Sequence, residues 1–139
     1  MSRASRLPSD PPSSPPPARS SAKPSAKPSG RIFRYDEALD LFPHVRDTTA
    51  LAVKAIEELT RELAAADDPD AAKDEFDASY REIVARWTAE IEALGGEAKG
   101  LWLVDFDAGD GYFCWKHPEP ALAHFHGYDE GFAGRIPVA

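Results

Sequence analysis

"LGGEAKGLWLVDFDAGDGYFCW", residues 94–115, is where the periodicity of the chain changes, and its reading decides the fold. Upstream of Gly95-Gly96 the apolar residues recur every three or four positions; downstream they alternate. Leu101–Phe106 has the period of two of a half-buried strand, Ala108–Gly111 has turn chemistry, and Tyr112–Trp115 reads as the returning strand. The paired glycines read as the C-terminal cap of whatever helix precedes them.

Working back from that cap, Phe76, Tyr80, Ile83, Trp87, Ile91 and Leu94 form one stripe at helical spacing. An earlier stripe runs through Val45, Thr49, Ala52, Ile56, Leu59 and Leu63, and Asp67-Asp68-Pro69-Asp70 separates the two. Two helices of about twenty residues with a short acidic connection predict an antiparallel hairpin resembling a short coiled coil. Asp36 or Glu37 suits the first turn of a helix. Pro43 is expected to interrupt that helix after Phe42, or to open the next one, where its missing N–H costs nothing. Arg31–Tyr35 reads as a short edge strand or a docking segment.

Working forward, Pro118 and Pro120 break pairing and Ala121–His126 predicts a third strand. The alternation puts Trp102, Val104, Phe106, Phe113, Trp115, Ala123 and Phe125 on one apolar face, set to pack on the helices. The other face carries Leu103, Asp105, Tyr112, Cys114, Leu122, His124 and His126. The expected fold class is therefore α+β: a long antiparallel helical hairpin, about 36–94, followed by a small three-stranded antiparallel sheet within about 100–139.

Residues 1–30 differ from the rest. They hold eight prolines, nine serines and no aromatic residue, so they cannot bury enough apolar surface to offset ordering and predict a disordered basic tail. The chain has 139 residues and a formal charge of −8; the tail carries +4 of this and residues 31–139 carry −12. A single domain of about 109 residues is enough for one core. Its acidity argues against a specific nucleic-acid-binding face, although the tail can make weak anionic contacts. No apolar run reaches the length of a signal core or a membrane span. A single cysteine, Cys114, excludes an internal disulfide and suits the cytoplasm.

Candidate chemistry gathers on the mixed face. His124 and His126, at i and i+2 of a strand, point the same way and can share an ion of the zinc, copper, iron or nickel kind. Asp105 and Cys114 on that face make a third and fourth ligand conceivable. The plainer reading has each histidine bonding a backbone carbonyl or a neighbouring acid. Cys114 with a histidine is also the residue pair of an activated thiolate, but no oxyanion-stabilising motif accompanies it, and a strand cysteine between Phe113 and Trp115 reads as a small packed hydrophobe. Glu57, Glu58, Glu62, Glu82 and Glu90 read as solvated faces shared with Arg61, Arg81 and Arg86. Gly131 and Gly134 are expected to turn at positive φ and let Phe132 tuck back onto the sheet, with Arg135 pairing Asp129 or Glu130 or capping a strand end.

Taken in order, "RIFRYDEALDLFPHVR" (31–46), "GLWLVDF" (100–106), Cys114-Trp115, Glu119, Phe125-His126 and "DEGFAGRIP" (129–137) resemble a small bacterial family known as domain of unknown function 2203. The resemblance spans essentially all of 31–139. It implies a helical segment followed by a small β unit, and no activity. It also makes Trp102, Trp115, Phe125, Phe132 and Arg135 candidate structural or interaction residues. The chain departs from the family pattern at a shorter hairpin loop, at His117-Pro118, and at Phe125, where tryptophan is more usual. Of the two histidines, only His126 falls on a family position.

The expectation for function is a non-enzymatic interaction or self-associating module with a protein partner or a second copy. No cofactor is required by it. The alternative is a metal- or small-ligand-binding protein, conceivably an enzyme, that uses the face around Asp105, Cys114 and His126.

Overall fold

A computed structural model describes residues 31–138. The predicted tail, 1–30, lies outside the described residues. Two helices, α1 (Tyr35–Ala65) and α2 (Pro69–Ala93), pack against each other and are followed by an antiparallel sheet. The sheet has five strands, not three: β1 (Glu97–Gly100), β2 (Leu103–Asp107), β3 (Tyr112–Lys116), β4 (His124–His126) and β5 (Ile136–Pro137), hydrogen-bonded in chain order.

Helix α1 runs unbroken through Pro43, against expectation. Its buried residues Ala38, Phe42, Val45 and Thr49 lie on one stripe that straddles the proline, so only a continuous helix buries all four. That burial outweighs the single backbone bond a proline removes. The connection to α2 is chemically specified. Asp68 accepts a hydrogen bond from the Ala71 N–H at 3.3 Å and Pro69 occupies the first turn. At the far end of α2, Gly95 has φ +97° and lies so close to the Phe33 ring that a Cβ would come within 2.9 Å of it. Glycine therefore both ends the helix and admits the Phe33 side chain.

Arg31–Arg34 is a docking segment rather than a strand. The Phe33 N–H donates to Asp107 O at 2.7 Å, and the buried Phe33 ring meets Phe106 edge-on at 5.2 Å. The core sits at the joint between the hairpin base and the apolar sheet face, with Phe42 against Trp115 at 5.4 Å and Trp87 against Trp102 at 4.9 Å. The Trp87 indole N–H donates to the Thr49 hydroxyl at 2.8 Å in this core. Outward of that bond, from Ala50 to Arg86, no residue of the hairpin is fully buried; Ile56, Leu59, Leu63, Phe76, Tyr80 and Ile83 are each only half-covered.

Three sheet details differ from expectation. Trp102 is not in a strand but in the turn between β1 and β2, from which it reaches Trp87. Leu122 is buried in the apolar core instead of sharing a face with Asp105, because regular alternation begins only at His124. Phe132 is 42% exposed and does not tuck onto the sheet; the Arg135 guanidinium stacks 4.1 Å above its ring. Of the two C-terminal glycines only Gly131 has positive φ, +66°. Gly134 instead admits close passage of the chain, since a Cβ there would sit 2.7 Å from Glu130 Cβ.

A buried acid, thiol and imidazole on the polar sheet face

The strand register brings the candidate residues together. Glu97 lies opposite Asp105, Asp105 opposite Cys114, and Cys114 opposite His124, so one row crosses four strands. Tyr112 lies opposite both Asp107 and His126 in the neighbouring row. All of these side chains share the face turned away from the helices, because residues two apart on a strand point the same way. Cys114, Asp105, Asp107, His126 and Tyr112 are buried there.

Asp105, Cys114 and His126 each place a potential ligand atom within 4.8 Å of the others. His124, directly across from Cys114, stands outside that group, and its Nδ1 is buried without a hydrogen-bond partner. The histidine one diagonal step away makes the contact instead, which strand twist permits.

The state of His126 follows from its neighbours. Its Nδ1 lies 2.8 Å from the Gly127 carbonyl oxygen, an atom that can only accept, so Nδ1 carries the hydrogen. The other nitrogen, Nε2, is 3.0 Å from Asp105 Oδ2. A neutral imidazole of this tautomer would turn a lone pair toward a carboxylate oxygen. Something positive has to lie between them, either a proton or a metal ion. Holding one ring nitrogen on a carbonyl and offering the other is also how metal-ligating histidines are oriented.

Charge on this face is unbalanced. Lys99 Nζ lies 3.5 Å from both Glu97 and Asp105, and its ammonium sits 4.0 Å over the Tyr112 ring. Glu97 Oε2 and Asp105 Oδ1 are nevertheless buried without a hydrogen-bond donor. Asp107 receives the Tyr128 hydroxyl at 2.5 Å and the Gly109 N–H at 2.9 Å. Burial, and then the Asp105 carboxylate, push the Cys114 thiol up from 9.0 to about 12. Burial and then the Glu97 and Asp107 carboxylates push the Tyr112 hydroxyl higher still. Both groups are held protonated by an environment that repels further negative charge.

The C-terminal segment closes this face. Arg135 grips Glu119 through two bonds, Nη1–Oε1 at 2.9 Å and Nη2–Oε2 at 2.6 Å, rather than pairing with Asp129 or Glu130. Glu119 is thereby fixed from several sides: its Oε1 accepts the Lys116 N–H at 2.9 Å and its carbonyl accepts the Trp115 indole at 2.7 Å. Burial raises the Glu119 carboxyl, but Arg135 and the Lys116 N–H outweigh it and hold the group below the ordinary carboxylate range. The guanidinium also faces Cys114 and opposes part of the upward push on its thiol.

Sequence reading placed Asp105, Cys114 and His126 on one face and missed Glu97, Lys99, Asp107 and Tyr128. The signal for the first three was present. Glu97 and Lys99 alternate as a strand would, and Asp107 continues the spacing of Asp105.

These features define a helical hairpin joined to a small antiparallel sheet whose outer face is lined with buried ionisable groups. The family described as an uncharacterized conserved protein, DUF2203, matches residues 31–138, and the chain belongs to that family. No curated protein and no solved structure matches it. Among the described residues no helix is long and apolar enough to cross a membrane.

Proposed function

We propose that the chain is a metal-binding protein in which Asp105, Cys114 and His126 hold one divalent transition cation of zinc's borderline-soft kind. The convergence of three different buried ligand atoms within 4.8 Å carries this reading. Thiolate, imidazole and carboxylate together are a zinc-type donor set. Two ligands that share a tetrahedral zinc lie about 3.3 Å apart, given metal–ligand distances of about 2.0–2.2 Å. The 3.0 Å between Nε2 and Oδ2 needs little adjustment to reach that. A cation also supplies positive charge to a face where one oxygen each of Asp105 and Glu97, Oδ1 and Oε2, lacks a donor.

On this reading the cation serves architecture more than turnover. It pins β2, β3 and β4 together beneath the 127–135 segment, and with three protein ligands its fourth position falls to a water. The protein works as a non-enzymatic module in a reducing compartment such as the cytoplasm, where the thiol stays available.

The test uses full-length protein purified without a histidine tag. The expected result is close to one equivalent of zinc by elemental analysis, and cobalt substitution producing a thiolate-to-metal charge-transfer band. Both should be lost in Cys114→Ser and in His126→Ala and retained in His124→Ala. Substoichiometric metal that is unchanged by His126→Ala would sink the proposal.

A further inference from the structure

We infer that the outer half of the helical hairpin is a self-complementary dimerisation face, on which a second copy of this chain packs antiparallel to form a four-helix bundle. The inference is independent of the cation site, which lies on the far side of the sheet from the helices.

One side of the interhelical seam near the base is taken by the sheet: α2 packs on β1, and Val84 and Thr88 line a cleft with Ala98, Lys99, Gly100 and the following Leu101. The opposite side is open: two clefts in line make a groove bounded by Thr48–Leu63 of α1 with the capping Ala66, and by Ala72–Glu90 of α2. Its lining residues recur at steps of three and four on both helices, so they form a single continuous face. Leu51 stands in this groove with 71% of its surface exposed. The half-covered residues described above lie along the same stretch.

Charge and size along the groove name the occupant. A second hairpin laid across the face with its tip over the first one's base sets α1 on α1 and α2 on α2, each antiparallel. Leu51 then meets Leu63 of the second copy, and Ala55 meets Leu59. On α2, Ser79 meets Ile83, so at these last two pairings a small residue faces a large one. The same register places Glu75 opposite Arg86, and two-fold symmetry makes that ion pair twice. Arg86 is free to join it, since its own pairing with Glu82 is a loose, exposed contact at 3.8 Å. The parallel alternative, with its two-fold along the hairpin, would lay α1 on α2 of the second copy, set Glu62 against Glu75 at the same level, and bring two acidic tips together. Bundle packing at a shallow crossing angle is the ordinary geometry for such faces.

The area marks a modest interface. Eighteen residues of helix make a face about 27 Å long, and two helices make it about 20 Å wide. That is roughly 1,000 Å² over the two copies, the lower bound for a specific interface, which fits a weak, concentration-dependent dimer.

Sedimentation equilibrium of the full chain, from low micromolar to several hundred micromolar, tests this with and without a chelator. The mass should rise with concentration from 15.2 kDa toward twice that value in both conditions. Leu51→Glu should weaken association by about a hundredfold or more, because two leucines lose their burial at once. Its far-UV circular dichroism should be unchanged, since Leu51 is exposed in the single copy. Glu75→Arg and Arg86→Glu should each dissociate the dimer, and the double exchange should restore it. A monomer at every concentration would overturn the inference. So would a dimer indifferent to Leu51→Glu, or single and double charge exchanges that behave alike.

Discussion

Replacing Thr49 by valine tests the joint on which the fold is built. Among the described residues the Thr49 hydroxyl is the only hydrogen-bond acceptor for the Trp87 indole N–H, at 2.8 Å, and both residues are buried. Valine keeps the branched shape and removes the acceptor, so little cavity is created. The expected cost is therefore that of an orphaned buried donor, about 1–3 kcal/mol. For a domain of this size each kcal/mol lowers the melting temperature by about 4–8 °C. Trp87→Phe removes the donor and also part of the edge-on contact with Trp102, so its own cost mixes two effects. A double-mutant cycle separates them, and the Thr49–Trp87 coupling should come out at about 1–2 kcal/mol. Urea denaturation followed by far-UV circular dichroism, at concentrations low enough to keep the chain monomeric, gives all four stabilities. A Thr49→Val loss below about 0.5 kcal/mol, the level of an ordinary surface change, would refute the reasoning. Leu51, only two residues on, supplies the contrast. There a charged substitution should leave monomer stability within that same about 0.5 kcal/mol.

Two further outcomes concern the sheet. Cys114 and Tyr128 are held protonated up to about 12, Cys114 by burial and then Asp105, Tyr128 by burial and then its bond to Asp107. Their folded-state values exceed the ordinary 9.0 and 10.0, so the stability they contribute is complete below pH 9 and declines as pH climbs toward 12. Urea midpoints should fall across that alkaline window, and in chelated native protein at neutral pH a disulfide reagent should modify Cys114 far more slowly than in unfolded chain; rapid native modification would contradict the burial argument. Gly111→Ala should cost about 1–3 kcal/mol by overpacking. The new Cβ would sit 2.4 Å from His126 O and 2.5 Å from the Phe125 ring. It should also weaken cobalt binding by displacing β4, and a neutral melting temperature would show that this close approach is not needed.

Much of the architecture was legible because it rests on periodicity. The stripes through Val45–Leu63 and Phe76–Leu94 give both helices, and the alternation of Val104, Asp105 and Phe106 gives the two sheet faces. What escaped lacks a period. Glu97–Gly100 contributes no apolar residue larger than alanine, and Ile136–Pro137 is two residues long, so neither outer strand announces itself. Pro43 misled because a local rule was set against four buried neighbours that only tertiary packing supplies. The candidate site was legible as a face but not as a constellation. Strand spacing makes His124 and His126 equivalent; only the diagonal reach to Asp105 and the Gly127 carbonyl separates them. Arg135 finding Glu119 sixteen residues away is likewise a product of chain closure that no local spacing encodes.

The three tryptophans, Trp87, Trp102 and Trp115, all lie at the joint of hairpin and sheet. Intrinsic fluorescence of this protein is consequently a local gauge. It reports whether the joint is intact and is blind to the hairpin tip, whose aromatic residues are Phe76 and Tyr80. Circular dichroism, dominated by 56 helical residues, weighs the whole hairpin instead. If the tip frays before the joint opens, the two signals will part on heating, and a second copy seated on the hairpin should bring them back together.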